Sequence, residues 1–279
     1  MNTRTFIVAV LTLTALCIYL FVSAPPPLAE RTETAERTVP VEQMFDLIAA
    51  ENAAARTLYT AQIVGPGLKA GLSFNESWKD EAMEAGPLPA LFLREVSSRL
   101  ARGRTDIGLF LGSEFPIASV NRFSGDQLAI HGRVKETGKP QYGKDAATGM
   151  YVAMYPDFAT APPCVSCHNA HPDSPKTDWV LNDMMGATTW LYPHSRVSVE
   201  TAISAVASLR AAERATYEDF LAKTQTYQTK RPEIGEKWPV DGLFLPTADL
   251  FMKAVAERVS VTTAARILTL PGEATDGGT

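Results

Sequence analysis

The sequence predicts an α+β protein in which helices surround an antiparallel sheet. Stretches with apolar residues at helical spacing come first, at about residues 41–64 and 88–100. Short β-branched or aromatic runs follow between residues 107 and 191, and Ala-rich helical patterns return from Ser198. Because helices and strands do not alternate strictly, the strands are expected to pair antiparallel, with the helices grouped around them.

The composition is that of a globular chain, and it excludes one class of partner. The protein has 279 residues, of which 46% are hydrophobic and 20% are charged, so it can bury a core. Its 26 Lys and Arg residues are scattered among 31 acidic residues, which gives a formal net charge of −5. This pattern lacks the basic stripe that follows a phosphate backbone. Nucleic acid is therefore not an expected partner.

Residues 1–24 are predicted to direct the chain to a membrane. Residues 6–22 contain no charge and follow Arg4, and their length approaches the roughly 17–25 residues of a spanning helix. An uncleaved single-pass anchor in the inner membrane is the favoured interpretation, and Arg4 on the inner side would place the domain in the periplasm. The alternative is a signal peptide cleaved after Ala24, although Pro25 at the next position disfavours cleavage.

The next segments are predicted to be a stalk and two helices. Residues 25–40 contain three consecutive prolines and are predicted to form a mobile stalk. The first helix is expected to end at Gly65-Pro66-Gly67, because proline and glycine disfavour helix continuation. The second helix is expected between Gly86-Pro87 and Gly103. The apolar side of the first helix is formed by Phe45, Ile48, Ala55 and Tyr59.

Three short runs are predicted to be strands joined by loops. They read IGLFLG, YVAMY and ATTWLY, and Gly, Pro, Asn and Asp separate them. The domain that contains them is placed at residues 41–196. Residues 197–279 are predicted to be a helical C-terminal extension, because Ser198 and Thr247 can each cap an apolar helical run. The Ala and Leu positions of these helices are expected to be core or dimer contacts.

The cysteines point to one chemical site. Cys17 lies in the apolar N-terminal segment, whereas Cys164 and Cys167 are three positions apart with His168 directly after them. CVSCH is the pattern C-x-x-C-H: two thiols at this spacing can each add to one haem vinyl group, and the adjacent His places an imidazole at the iron. The sequence therefore predicts one covalent haem c, with Cys164 and Cys167 as anchors and His168 as proximal iron ligand.

Three other interpretations of this motif stay open. A thioredoxin-like redox pair would need a βαβ context that the sequence does not show. A zinc site could use Cys164, Cys167, His168 and His171, but structural zinc sites usually take ligands from two separated pairs. A disulfide across so short a segment would be strained.

The sequence around the motif resembles a known family. The run CVSCHNAHPDSPKTDW, with MYVAMYPD before it and NDMMGATTW after it, is similar to c-type haem proteins whose mono-haem domain has a PAS-like fold. Members are small periplasmic proteins and extracytoplasmic input domains of bacterial signalling receptors. The resemblance implies a PAS-like sheet that holds haem at Cys164, Cys167 and His168. A distal cysteine, used by some members, is not available in this chain because Cys17 lies in the membrane segment.

The distal iron ligand is the open part of the predicted site, because His and Met are both common axial ligands of haem c. Met154 and His131 are the preferred candidates. Met154 is otherwise a core methionine on a strand, and His131 a surface residue. The wider candidate set is His131, His194, Met150 and Met154. Further candidates are Lys176 or Arg196 for a haem propionate, and Trp179 or Trp190 for covering the ring.

The predicted function is haem-based redox or ligand sensing by a periplasmic domain. A separate redox or signalling protein is the expected partner, since no kinase, cyclase or methyl-accepting module follows in this chain. The alternative is a monohaem electron-transfer cytochrome, for which one haem and a membrane anchor are sufficient. An enzyme is not expected, because no distal acid–base pair can be identified by spacing.

Overall fold

The computed structural model describes residues 37–103, 105–239 and 243–268, together with positions 2, 12–17, 19 and 23. Side chains of the last helix are described up to residue 259. Thr38–Thr279 form one compact unit, and Met1–Arg37 form another.

The predicted membrane anchor is only sparsely covered by these residues. Within the described ranges, no helix is long and apolar enough to cross a bilayer. Most of residues 6–22, and the predicted stalk up to residue 36, lie outside the described residues.

The larger unit mixes helices and short strands along the chain. In order they are β1 (Thr38–Pro40), α1 (Val41–Leu58), a π-helical segment (Tyr59–Val64), α2 (Gly65–Ala70), β2 (Ser73–Phe74), β3 (Ala85–Gly86), α3 (Pro89–Arg102), β4 (Gly108–Gly112), a 3₁₀ turn (Ser119–Asn121), α4 (Asp126–Thr137), β5 (Gln141–Lys144), β6 (Tyr151–Phe158), α5 (Pro162–Ala170), β7 (Met184–Tyr192), β8 (Arg196–Ser198), α6 (Val199–Thr224), β9 (Glu233–Ile234), β10 (Phe244–Leu245) and α7 (Ala248–Leu268).

A four-stranded antiparallel sheet lies at the centre of this unit. Its strand order is β4-β7-β6-β5, and every neighbouring pair is antiparallel. The predicted α+β class is therefore confirmed. The three apolar runs of the sequence form β4, β6 and β7, whereas the fourth strand, QYGK, is too short and polar to be recognised by pattern.

The two faces of the sheet belong to different cores, because successive side chains of a strand point to opposite faces. Ala153 and its cross-strand partner Trp190 face a large core formed with α1, α3, α6 and α7. Val152 and Met154 face a small core beneath α4. The largest fully buried side chains of the large core include Phe45, Tyr59, Trp190, Phe220 and Phe251.

The C-terminal helices pack on α1 and contribute to this large core. The Ser198 hydroxyl caps α6 by accepting a hydrogen bond from the Thr201 N–H at 3.0 Å. Thr247 accepts from the Leu250 N–H at 3.2 Å and so caps α7. Residues on both sides of the predicted boundary at residue 196 therefore share one hydrophobic core.

The prediction that Gly65-Pro66-Gly67 ends the first helix is wrong. A π-helical segment follows α1, and α2 continues through the three residues to Gly71, which has a φ of 88°. Backbone bonds of the π-helical segment reach five residues back, and the Gly65 N–H donates to the Thr60 carbonyl. The Trp238 indole N–H donates to the carbonyl of Gln62 at 3.3 Å. A distant segment therefore also binds the backbone where the helix passes through Pro66.

The prediction that only loops join the strands is also wrong, because α4 and α5 lie between them. The α4 segment, DQLAIHGRVKET, has a weak helical pattern with a glycine inside it. Its Ile130 and Val134 side chains pack on the sheet with Val152 and Met154, so burial supplies the stability that local propensity lacks.

Candidate functional site

The CVSCH motif lies on a helix and not in the short loop expected from the sequence. α5 begins with Pro162 and Pro163, which suit a first turn because its N–H groups have no helical partners. Cys164, Cys167 and His168 have the spacing i, i+3 and i+4, and residues at this spacing share one face of a helix. Both thiols and the imidazole are therefore presented together on one side.

α5 stands at one end of the central sheet. β6 ends at Phe158 just before it, and β7 begins at Met184 after it. Two backbone hydrogen bonds close the base of this connection: the Ala159 N–H donates to Asp183 O at 2.8 Å, and the Asn182 N–H donates to Ala159 O at 2.9 Å. The motif helix is thus held on the sheet by its two flanking strands.

A side-chain bridge ties the motif helix to the segment that follows it. The Asn169 amide donates to Trp179 O and accepts from the Trp179 N–H, both at 2.9 Å. Asn169 comes directly after His168 in the sequence. The position of the motif helix is therefore coupled to the position of Trp179, whose side chain is buried.

The imidazole of His168 is held in its neutral form. Burial lowers the pKa of His168, and nearby His171 lowers it further, although the carboxylates of Asp157 and Glu76 act in the opposite direction. Nδ1 of His168 is buried and has no hydrogen-bond partner among the described residues. Neutral imidazole is the form that binds iron.

The two motif cysteines are partly buried free thiols. Burial raises the pKa of the Cys167 thiol, and Glu76 and Cys164 raise it further. Glu76 is also within 3.4 Å of the His171 imidazole, so its carboxylate lies beside the motif. The Cys167 thiol is therefore protonated at neutral pH, and no disulfide joins the two cysteines.

Arg56 is a member of this site that local pattern did not indicate. It lies on α1 and donates to both carboxylate oxygens of Asp157 at 3.3 Å and to the Thr188 hydroxyl at 3.0 Å. Asp157 in turn acts on His168. The only signal in the sequence is a single cation in an Ala-rich helical stretch, and nothing local shows which segment it will meet.

The residues predicted to complete the haem site lie in several places. Nζ of Lys176 lies 4.6 Å from the centroid of the Trp179 ring. The backbone of Trp179 is the one hydrogen-bonded to Asn169 of α5. Arg196 instead donates to Thr38 in the β1–β8 pair, beyond the far end of β7. Trp190 is fully buried in the large core. Of these residues, the structure brings only Lys176 and Trp179 near the motif segment.

Two distal candidates, Met150 and His194, lie at the opposite end of the sheet from α5. Met150 precedes the first residue of β6, and His194 follows the last residue of β7. A strand rises about 3.3 Å per residue, which puts both roughly 25 Å from the motif end of the sheet. The structure does not bring these residues together with the motif.

Met154, a preferred distal candidate, is fully buried in the small core with Phe123, Ile130 and Val134. This environment favours the packing interpretation. We expect Met154→Leu to leave the haem spectrum and the reduction potential unchanged and to cost less than about 1.5 kcal/mol of stability, because leucine conserves volume. Met154→Ala should cost about 2–5 kcal/mol, because it leaves a cavity. A lower potential in the leucine variant, measured by redox titration, would instead identify the sulfur as an iron ligand.

His131, the other preferred candidate, is 3% exposed, so the interpretation of a surface residue is wrong. It lies on α4 against the Phe123 ring, with ring centroids 4.8 Å apart. Its Nδ1 is 3.2 Å from a carboxylate oxygen of Glu114. The ring lines a cavity at the motif end of the sheet, but Cys164, Cys167 and His168 do not line this cavity.

The chemistry of the motif helix matches what covalent haem attachment requires. Two free thiols and a neutral imidazole share one helix face. Arg56 supplies a cation that is bound to Asp157, and Asp157 acts electrostatically on His168. Across the described ranges, no group of three or more His, Cys, Asp and Glu residues could hold a metal ion.

Comparison with known proteins finds one matching family model. A model of the Tll0287-like family matches residues 34–193, which include the whole central sheet and α5 but not α6 or α7. No curated protein and no solved structure matches the chain significantly.

Proposed function

The chain belongs to the Tll0287-like family, and we propose that it is a membrane-anchored, periplasm-facing mono-haem domain that senses a redox state or a small ligand. The family supports a haem-binding domain of cytochrome type. The main support for covalent attachment is that Cys164, Cys167 and His168 lie on one face of α5. The antiparallel sheet with helices on both faces supports the PAS-like part of the proposal.

Each residue of the site has a distinct proposed task. Haem, when bound, would supply iron redox and ligand-binding chemistry. Cys164 and Cys167 would hold the group through thioether bonds, and His168 would offer its neutral imidazole to the iron. Arg56 would supply a cation for a haem propionate, since guanidinium and carboxylate form charge-assisted hydrogen bonds. Asp157 orients Arg56 for this task.

The bridge between Asn169 and Trp179 supports sensing as the function. His168, which would hold the iron, is followed directly by Asn169. Asn169 makes two hydrogen bonds of 2.9 Å to the backbone of Trp179, so a displacement of His168 would be felt at Trp179. A partner protein in the membrane or periplasm would then read the altered surface.

Electron transfer is the second candidate function, and the exposure of the motif helix favours it. Pro163, Ser166 and Ala170 on α5 are exposed, so a haem held there would lie close to the surface. Carbon monoxide separates the two functions. Rapid binding of carbon monoxide to the ferrous protein indicates an accessible sixth position and supports sensing, whereas two tight axial ligands would support electron transfer.

The covalent haem is tested with the wild-type chain, produced in a host that matures c-type cytochromes. We expect a pyridine haemochrome spectrum of the c type and haem that stays with the polypeptide through acid–acetone extraction. The reason is that thioether bonds survive conditions that release haem b. Extractable haem, or zinc without iron in elemental analysis, would reject the proposal.

The membrane anchor is tested by cell fractionation. We expect the chain to sediment with the inner membrane and to resist alkaline carbonate extraction, because residues 6–22 would stay attached and span the bilayer. N-terminal sequencing is the control. A soluble mature protein that begins near Pro25 or Glu30 would show that the segment is a cleaved signal peptide.

A further inference from the structure

Two segments of the chain, residues 38–100 and 196–259, have the same order of elements. Each begins with a short strand that leads directly into a long helix, and each ends inside a second helix. Between the two helices, each segment has two strands of two residues that pair in parallel. The first segment contains β1, α1, β2, β3 and α3, and the second contains β8, α6, β9, β10 and α7. We name them the first and the second helical unit.

The two helical units also have identical residues at equivalent positions. Tyr59 and Tyr217 lie equally far after the first residues of α1 and α6. The second helix of each unit begins two residues after a proline. The matches are widely spaced in the sequence, so the similarity becomes evident only when the elements are compared. The identical pairs include Val41 and Val199, Glu42 and Glu200, Arg56 and Arg214, Tyr59 and Tyr217, Trp78 and Trp238, Pro87 and Pro246, Phe92 and Phe251, and Val96 and Val255.

The equivalent tyrosines make the same buried contacts in both units. The Tyr59 hydroxyl donates to Pro87 O at 2.7 Å, and the Tyr217 hydroxyl donates to Pro246 O at 3.1 Å. Each tyrosine ring also stacks on the equivalent phenylalanine of its own unit. The stacked pairs are Tyr59 on Phe92, with ring centroids 4.5 Å apart, and Tyr217 on Phe251, at 4.2 Å. The two units therefore join their first and second helices in the same way.

The units face each other around an approximate twofold axis. Val39 of β1 is paired with Val197 of β8, and the two strands run antiparallel. These valines are equivalent, because each lies two residues before the first residue of its helix. Phe92 and Phe251, which are also equivalent, meet edge to face with ring centroids 6.3 Å apart. Equivalent residues that contact each other lie on a twofold axis.

The contacts between the units are reciprocal. α7 of the second unit packs on α1 of the first, and α3 of the first unit packs on α6 of the second. Side chains of all four helices belong to one large core. In a symmetric dimer, such a self-complementary patch, in which each surface contacts the equivalent surface of the other copy, forms the interface between two chains. Here the same kind of interface lies within one chain.

The central sheet, in contrast, packs on α1 and α3 of the first unit. Phe45 of α1 is fully buried, whereas the equivalent Ile203 of α6 is 51% exposed. Arg56 of α1 binds Asp157 of the sheet, whereas the equivalent Arg214 pairs with acidic residues of its own unit. The second unit thus keeps the helices of the first unit without the contacts that position the motif.

We propose that the second helical unit is a copy of the first that takes the place of a second chain. It fills an interface that would otherwise join two identical molecules. The matched family model ends at residue 193, before this unit begins, so the proposal gives the C-terminal helices a function of their own. It concerns the helices alone and does not depend on haem.

The first test uses the full-length protein in a mild detergent. Because the two units belong to one chain, their pairing does not depend on the protein concentration. We expect native mass spectrometry to show single chains, and the midpoint of denaturant unfolding to stay constant over about a hundredfold range of protein concentration. A midpoint that falls on dilution would show that the helices need a second chain, and would overturn the proposal.

A segment exchange tests whether the units are equivalent. Residues 87–100 are replaced by the sequence of residues 246–259, which keeps Pro87, Phe92 and Val96 unchanged. We expect cooperative unfolding and a melting temperature lowered by only about 5–10 °C, because the buried positions keep similar volumes. The matched control takes the sequence of residues 245–258, which moves every apolar side chain by one position around the helix. This control is expected not to fold.

The two exchanges decide the outcome together. A folded in-register exchange and an unfolded shifted control support the proposal. Equal behaviour of the two proteins contradicts it, because position within the unit would then not matter. Haem content separates this result from the proposed function, since neither exchange alters α5 or Arg56. A wild-type protein that has single chains but no covalent haem rejects the proposed function and leaves the duplicated unit standing.

Discussion

Replacing both Cys164 and Cys167 with serine is expected to abolish covalent haem. The two thiols are the proposed attachment points on α5, and a serine hydroxyl does not add to a vinyl group under these conditions. Intact-protein mass and haem staining after denaturing electrophoresis measure the result. Each single replacement should leave at most one thioether bond. Cys17→Ser is the matched control, because this cysteine lies in the N-terminal segment and should not affect the haem content.

His168→Ala distinguishes attachment from ligation. We expect this variant to keep its covalent haem, because both thiols remain, and to lose the wild-type spin-state signature of the iron. Covalent haem that persists in the double serine variant would contradict the assignment of the motif. An unchanged spectrum in His168→Ala would contradict the assignment of the proximal ligand.

A buried acid in the large core gives the second prediction. Glu213 on α6 is fully buried, and neither of its carboxylate oxygens has a hydrogen-bond partner among the described residues. Its neighbour Glu51 on α1 accepts two hydrogen bonds from Arg210, at 2.6 and 2.9 Å. Burial raises the pKa of Glu213 well above its ordinary value, and the charge of Glu51 raises it further. Burial without a hydrogen-bond partner therefore favours the protonated carboxyl group in the folded protein, although Arg210 acts in the opposite direction.

This raised pKa makes stability fall as the pH rises. Below the ordinary pKa of a glutamic acid, both the folded and the unfolded chain hold the proton. Above it, the unfolded chain releases the proton while the folded chain retains it, so the unfolded state is favoured progressively. We expect Glu213→Leu to be more stable than wild type by about 1–3 kcal/mol at pH 8, with the pH-dependent part of that gain absent near pH 4.

Denaturant unfolding between pH 4 and pH 8 measures this effect. Glu213→Gln should lose the pH dependence as well, because it cannot titrate. Glu218→Gln, on the same helix but half exposed, is the control and should follow the wild-type curve. A stability difference between wild type and Glu213→Gln that stays constant from pH 4 to pH 8 would show that Glu213 is ionised in the folded chain.

Much of the α+β fold could be predicted from local pattern. The runs that form β4, β6 and β7 are recognisable because strands buried on a sheet need β-branched and aromatic residues. Ser198 and Thr247 mark helix starts because their hydroxyl groups cap N–H groups within three residues. α4 could not be predicted, since its helix depends on packing against the sheet.

The proposed haem motif could be recognised in the sequence alone, because the chemistry of Cys164, Cys167 and His168 depends on residue type and on spacing within five positions. Only the tertiary structure decided what surrounds it. Arg56 reaches Asp157 across 101 positions, and the Trp238 indole N–H donates to the Gln62 carbonyl across 176 positions. Such contacts form only when elements that are distant in the sequence pack on one another. A local sequence pattern does not indicate which elements will do so.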